Sequence, residues 1–493
     1  MPVIFEKSVA GRRGVRLPES DVPVSRKVDE RYARATELGL CELSELDVVR
    51  HFTGLAQKNF GVDTNFYPLG SCTMKYNPKV GEKIAHLPGF LELHPLLPQL
   101  RGGGLLTQGA LAVIYELEQL LCEITGMDAF TLHPLAGAHG ELCGMMLVAA
   151  YHKHKGIEKT EVLIPDEAHG TNPSSAATAG YRVRAVPTDK KSGALDMAAL
   201  EDAMGPQTAA LMLTNPNTLG IFNSNIESIS ALAKKNDCLL YYDGANLNAV
   251  LGRFRPGDGG FDIVHLNLHK TFGTPHGGGG PGAGPVGVRQ HLQRFLPVSR
   301  VIKRDDNTYA LKYDYPDTIG YVAPFYGNFS VCLKAFAYIL MHGSEGLRQV
   351  ADNAVINANY ILHSLKGAYR APYPDGCMHE CVLSASRQAE NGVQAVDIAK
   401  ALIDEGLHPP TVYFPLIVKE ALMIEPTETE SKETLDAFVA AMLRIAAEAE
   451  ANPEKLKAAP RKAPVGRLDE TRAARILDVS FEPVCQIQRK APV

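Results

Sequence analysis

Between about residues 127 and 290, short apolar segments alternate with segments of helical period. This predicts an α/β fold whose mostly parallel sheet is covered on both faces. Two further observations complete the expectation. The last third opens on a long apolar helix and continues as a smaller α+β region. The first 90 residues mix basic, acidic and proline-rich pieces, as an arm that wraps something would. The expected organisation is an N-terminal arm over 1–90, a large domain over 91–330 and a small C-terminal domain with an irregular tail over 331–493.

In the arm, VDERYARATELG and ELSELDVVRHFTGLAQKN have helical period, and NFYPLGSCTMKYNPKVG is rich in turn residues. The amphipathic run LLTQGALAVIYELEQLLCEITG predicts a helix stopped by Gly126. Strands are expected at EVLIP (161–165), RVRAVP (182–187), AALMLT (209–214), CLLYY (238–242) and DIVHLNL (262–268). Helices between them are expected at GELCGMMLVAAYHKHKG, LDMAALEDAMG and SISALAKKND. Residues 291–330 look irregular. VCLKAFAYILMHG then starts the last third, with strands expected at CVLSAS and PTVYFPLIV. ETLDAFVAAMLRIAAEAEAN is a late helix, preceded by the N-cap-rich Thr427–Ser431 stretch, and the tail from Pro453 is expected to be irregular.

Composition narrows the function class. The chain has 493 residues, 45% hydrophobic and 21% charged, which is ordinary for globular domains. A net charge of -5 argues against a nucleic-acid surface. No apolar run is long enough to span a bilayer, and the N-terminus lacks the apolar core of a secretory signal. Nine scattered cysteines, an odd number, suggest reduced thiols and a cytoplasmic location.

Ligands on open α/β sheets sit at the carboxyl ends of strands, and two ionisable residues are expected there. Lys270 ends the stretch HLNLHKTFGTPHGGGGPGAGPVGV. A lysine in such a place is costly unless paired or chemically used, because burial disfavours the ammonium and makes the amine a nucleophile. That chemistry suits a Schiff base with pyridoxal phosphate, although a surface lysine fits His-Lys alone equally well. Asp243, in YYDGANLN, lies 27 residues earlier (270 − 243), one strand crossover away. It could keep the pyridine nitrogen protonated; a turn aspartate is the competing assignment. Ala245 is small enough for a ring to pack on it.

Other candidates surround this pair. His169, in PDEAHGTNPSSAATAG, could stack on the ring face opposite Ala245, or be a simple loop histidine. Gly137 and Ala138, in LAGAHGE, open a helix whose N–H groups could cradle a phosphate, and Gly277–Gly280 could also serve. The glycine run lacks the Gly-Lys-Ser/Thr ending of a nucleotide P-loop. Asn267 and His265 lie on one face of the lysine strand and could approach the phosphate. Thr214–Thr218 offers polar side chains or a plain Asx turn. Cys72 and Lys75 could line the mouth of the site, or belong to a packed turn. No metal site is expected: Cys377-Met378-His379-Glu380-Cys381 has no second ligand pair and reads as the approach to a strand.

These segments, together with LTNPNTLGIF and PPTVYFPLIVKEALMIEPTETESKETLDAF, resemble the P-protein of the glycine cleavage system in its split bacterial form. The resemblance runs from about residue 45 to 470, with Gly273 and Cys381 as small departures and the stretch from about Ala473 least alike. It implies a fold-type-I, aspartate aminotransferase-like pyridoxal-phosphate enzyme in which Lys270 is the Schiff-base lysine. It further implies decarboxylation of glycine, transfer of the aminomethyl group to the lipoyl arm of an H-protein, and a partner subunit 1, two of each. Another reaction of a small amino acid on the same fold, or a non-catalytic scaffold subunit, are the competing functions. Intact Lys270, Asp243 and His169 argue against the scaffold.

Overall fold

The computed structural model describes residues 2–22, 29, 31–35, 38–94, 96–100, 102–277, 280, 282–477 and 481. The chain divides into two compact units, residues 61–462 and residues 1–60 with 463–493.

A seven-stranded sheet organises the larger unit. Its strands are β1 (Ala129–Thr131), β2 (Glu161–Pro165), β3 (Arg182–Val186), β4 (Thr208–Thr214), β5 (Leu239–Gly244), β6 (Ile263–Leu266) and β7 (Val286–Val288). The order across the sheet is β1-β7-β6-β5-β4-β2-β3, and β7 alone runs against its neighbours. The sheet is therefore mostly parallel, as expected. Strands β2, β4, β5 and β6 are buried along their whole length, which explains why each reads as an unbroken apolar run. Alternate residues serve opposite faces. Leu163, Leu211, Leu213, Leu240, Tyr242 and Val264 join one core. Val162, Ile164, Ala210, Met212, Tyr241 and Ile263 join the other. β3 lies at the edge and carries Arg182 and Arg184 toward solvent, which blunts further strand pairing.

The expected helices form at Gln108–Thr125, Gly137–His154, Met197–Ala203 and Ile226–Lys235. Asp196 caps the third by accepting from Ala198 and Ala199 N–H, and Gly126 stops the first in the left-handed conformation. The region 291–330 is not wholly irregular, because β8 (Arg300–Lys303) and β9 (Tyr309–Lys312) pair as a hairpin. The helix at the start of the last third runs from Phe329 to Leu365, with a non-helical break at Gly343, where the apolar run was expected to end.

A second core gathers Phe66, Leu362, Leu383, Leu422, Phe438 and Met442 around β10 (Cys381–Ser384), β11 (Thr411–Val412) and β12 (Ala421–Ile424). The expected strand PTVYFPLIV is mostly a turn. The ladder ends at Val412, because Tyr413 turns into the left-handed region (φ 59°) and Pro415 could not donate further on, and the central strand is β12. The helix Lys432–Ala451 begins at Ser431, whose side chain accepts from Thr434 N–H.

In the smaller unit, Ser44 and Asp47 form a reciprocal cap for the helix Glu45–Ala56. The helix expected over 28–39 does not form at residues 31–35, which turn and bend, and part of that stretch lies outside the described residues. The tail after Pro453 is less irregular than expected, with helices at Pro453–Lys457 and Glu470–Arg475. No helix among the described residues is long and apolar enough to cross a membrane.

Candidate active site

β6 ends two residues earlier than the sequence suggested. Asn267 leaves the strand in an extended conformation and starts a single helical turn, Leu268–Thr271, that carries His269 and Lys270. The turn is anchored from below by Lys75, which is 1% exposed. Its ammonium donates to the Thr271 carbonyl at 2.8 Å and to Asn248 Oδ1 at 2.7 Å, and pairs with Glu428 at 2.6 Å. Lys75 is thus part of the frame, not of the site's mouth. Cys72 lies nearer the chemistry, its Sγ 3.5 Å from His276 Nε2. Lys270 is half-buried and donates to the Ser71 carbonyl at 2.8 Å.

Asp243 stands at the end of β5, paired in register with His265 on β6. It is almost fully buried and takes hydrogen bonds from Asn172 Nδ2 at 3.0 Å and Ala245 N–H at 2.9 Å. His265 Nε2 lies 3.3 Å away, off hydrogen-bond geometry, while its Nδ1 meets the Tyr241 hydroxyl at 2.8 Å. Burial pushes the Asp243 carboxyl up. The imidazole of His265, the Asn172 and Ala245 donors and the Lys270 charge outweigh it, and hold the carboxyl below its ordinary range. An acid kept ionised inside the fold, within the field of the lysine, is chemically suited to hold a proton on a ring nitrogen.

The phosphate end has a matching cradle. Gly137 opens an 18-residue helix that no side chain caps, so the first N–H groups are available to an anion. A Cβ at Gly137 would sit 2.5 Å from Asn267 Oδ1, and that buried oxygen has no partner. Ala138 is exposed. These features fit a phosphate-bearing ring cofactor on an observation of the fold itself. Gly278, Gly279 and Pro281 of the glycine run lie outside the described residues.

His169 follows β2 and is exposed. Its Nδ1 meets Thr171 Oγ1 at 2.8 Å, and that hydroxyl donates to Glu141 Oε1, also at 2.8 Å. The Thr171 backbone N–H also donates to His169 Nδ1, at 3.2 Å, so this one residue fixes the ring from two sides. Asn217 makes the plain turn, accepting from Leu219 and Ile221 N–H. Glu141, Asp243 and His265 stand close enough to hold a cation; Thr171 and Ser175 donate to Glu141 and Asn172 to Asp243, while His265 Nε2 has no hydrogen-bond partner.

Sequence reasoning missed Asn172 and Glu141, which tie Asp243 and His169 into the fold. Both lay inside motifs already singled out, and their spacing to Asp243 is visible only after folding.

Two family models match the chain: "Glycine cleavage system P-protein" over residues 17–312 and "Glycine dehydrogenase, C-terminal domain" over residues 350–464. The chain belongs to the glycine cleavage system P-protein family. The match begins earlier than the sequence motifs alone indicated. The Listeria innocua relative named "Probable glycine dehydrogenase (decarboxylating) subunit 2" is 55% identical over 494 residues, covering 99% of each chain. Its namesake in Caldanaerobacter subterraneus is 56% identical over 477 residues, 96% of this chain and 97% of that one. Among solved structures, a glycine decarboxylase (P-protein) in inhibitor-bound form superposes with a TM-score of 0.70 at 20% identity, over 84% of this chain and 92% of that one. A Lactobacillus brevis glutamate decarboxylase gives 0.64 at 12% identity, over 87% and 96%. The P-protein chain therefore has the fold-type-I architecture, and its α/β class is that expected from the sequence.

Proposed function

We propose that the chain is subunit 2 of glycine dehydrogenase (decarboxylating), a pyridoxal-phosphate enzyme that releases CO2 from glycine and passes the aminomethyl group to the lipoyl arm of an H-protein. The observation that carries this reading is the pair Lys270 and Asp243, on neighbouring strand ends in a member of the P-protein family. When bound, the cofactor supplies an electron sink for the pair left behind by CO2. Asp243 holds the proton on the ring nitrogen. The N–H groups from Gly137 and Ala138, with Asn267, orient the phosphate. His169 would stack on one face of the ring and Ala245 would pack on the other. Lys270 would hold the cofactor through Nζ, and its amine, once free, would be a proton donor or acceptor beside the substrate.

A partner subunit 1 is supported by the "subunit 2" in the relatives' names, and two of each chain and a cytoplasmic location complete the reading. The arm over 1–90 and the polar tail are the proposed contacts, and 331–493 the small domain. Pyridoxal phosphate added to the purified chain gives a visible band, and reduction with borohydride fixes the label on residue 270. Lys270→Ala abolishes both. A label on another lysine sinks the assignment. Glycine–CO2 exchange is expected with the partner and lipoylated carrier present, and only weakly from the chain alone. Equal full activity without the partner removes that part of the proposal.

A further inference from the structure

Two carboxyl groups sit beside Lys270 that the reading above does not use. Antiparallel pairing of β10 with β12 sets Cys381 opposite Ile424, so Glu380 and Glu425 face each other one step beyond the ladder. They are 0% and 1% exposed. The segment Ser71-Cys72-Thr73 ties them to the lysine. Ser71 N–H donates to Glu380 Oε2 at 2.8 Å, Thr73 Oγ1 donates to Glu425 Oε1 at 2.5 Å, and the Ser71 carbonyl holds Lys270. Glu425 Oε2 is buried without a partner.

Like charges this close cannot both stay ionised in a dry site. Burial pushes Glu380 up to about 7, against the pull of Ser71 N–H and the Lys270 charge. Burial and then the Glu380 charge raise Glu425 well above the ordinary carboxyl range, so it keeps its proton. The other titratable groups facing this cluster are unsuited to take a proton at neutral pH. Burial, helped by the Lys270 charge, drives His276 down to about 4 and His379 to about 3. His269 falls to about 3 through burial and the charges of His276 and Lys270. Burial raises the Cys72 thiol, and Asp243 is held low. Lys75 is committed to Glu428. His379, Glu380 and Glu425 also have a metal-like spacing, but the fields of Lys270 and Lys75 oppose a cation there.

We propose that Glu380, with Glu425 as its proton-bearing neighbour, takes the proton that the Lys270 ammonium must lose before its nitrogen can attack an aldehyde. An N–H bond on Nζ breaks and an O–H bond forms on Glu380. The electron pair stays on nitrogen, and nothing is oxidised or reduced. Both carboxyls feel the Lys270 charge, and Ser71 binds the lysine through its carbonyl and Glu380 through its N–H.

The proposal rests on Lys270 being the cofactor lysine, and it is tested before any turnover. The rate at which the cofactor-free chain takes up pyridoxal phosphate is followed by visible absorbance against pH. In the wild type the rate falls below neutral pH as Glu380 becomes protonated. Glu380→Gln slows uptake about tenfold or more at pH 8 and removes that limb, whereas Glu380→Asp keeps it. Wild-type rate and pH dependence in Glu380→Gln overturns the proposal. Carboxyl 13C NMR of the cofactor-free chain reads the pair directly, each signal assigned by its loss in Glu380→Gln or Glu425→Gln, because burial also raises Glu118 and Glu167 to about 8. The Glu380 signal is expected to titrate near pH 7 with the Glu425 signal still protonated. Titration of both assigned signals within the ordinary carboxylate range overturns the pair. Cofactor attachment that survives Lys270→Ala refutes the lysine assignment instead, and leaves the NMR result to stand or fall separately.

Discussion

Glu167 closes the turn after β2 at 1% exposure, and neither carboxylate oxygen has a hydrogen-bond partner. Burial, with Asp166 and then Asp243 adding to it, pushes its pKa from 4.5 up to about 8. The folded chain therefore binds a proton there that the unfolded chain releases, so this residue costs stability as pH rises from about 4.5 through 8. Glu167→Gln is expected to stabilise the protein on the order of a few kcal/mol at pH 9 and to make almost no difference at pH 4. Urea melts of both proteins at the two pH values check the sign. His169 makes a second prediction at this scale. Thr171→Val removes the hydroxyl that joins the imidazole to Glu141, so the ring loses its fixed orientation. Cofactor affinity is expected to fall about tenfold, a typical loss for a supporting hydrogen bond, and stability by about 1–3 kcal/mol because the buried Glu141 loses a donor. Titration of the cofactor's absorbance reads the first, and a denaturant melt the second.

At the level of elements, the helix Gly137–His154 lies unusually close to the sheet. A Cβ at Gly140 would sit 2.7 Å from the Gly284 carbonyl, and one at Gly144 would run into the Tyr241 ring. Close approach brings the open helix start against Asn267 and the end of β6. Gly144→Ala should therefore destabilise by about 1–3 kcal/mol, seen as a lower denaturant midpoint at unchanged slope. The turn that carries Lys270 depends on a different device, the buried Lys75–Glu428 pair. Lys75→Met leaves Glu428 without its partner in the interior and is expected to cost about 3–5 kcal/mol. Lys75→Met with Glu428→Leu should recover part of that loss. A double variant less stable than Lys75→Met alone would contradict this account.

Across the whole molecule, every residue assigned to the site and every buried core cluster falls within residues 61–462. That unit alone is expected to fold and to take up pyridoxal phosphate. Failure of residues 61–462 to bind the cofactor while the full chain does so would show that the smaller unit is needed for more than assembly. The site also draws on both cores of the larger unit: Lys270 and Asp243 come from the seven-stranded sheet, Glu380 and Glu425 from the three-stranded one.

The legibility of this chain follows its physics. Continuous apolar runs at β2, β4, β5 and β6 announced buried parallel strands, because both faces of each are covered. The alternation with helical period then placed Asp243 and Lys270 at strand ends. The three-residue strands β1 and β7 were silent, being too short to carry a period, and Pro415 hid the true central strand β12 behind an apolar decoy. By itself the sequence determined the fold class, and it singled out Lys270, Asp243 and the small-residue helix start as candidates. Those depend on local pattern and on residue type at the end of an element. Only the tertiary structure decided that Lys75 is structural, that Asn172 and His265 hold Asp243 ionised, and that Glu380 and Glu425 meet beside Lys270. Each of those depends on through-space distance and on the water excluded between groups far apart in the chain, and neither quantity is written in residue order.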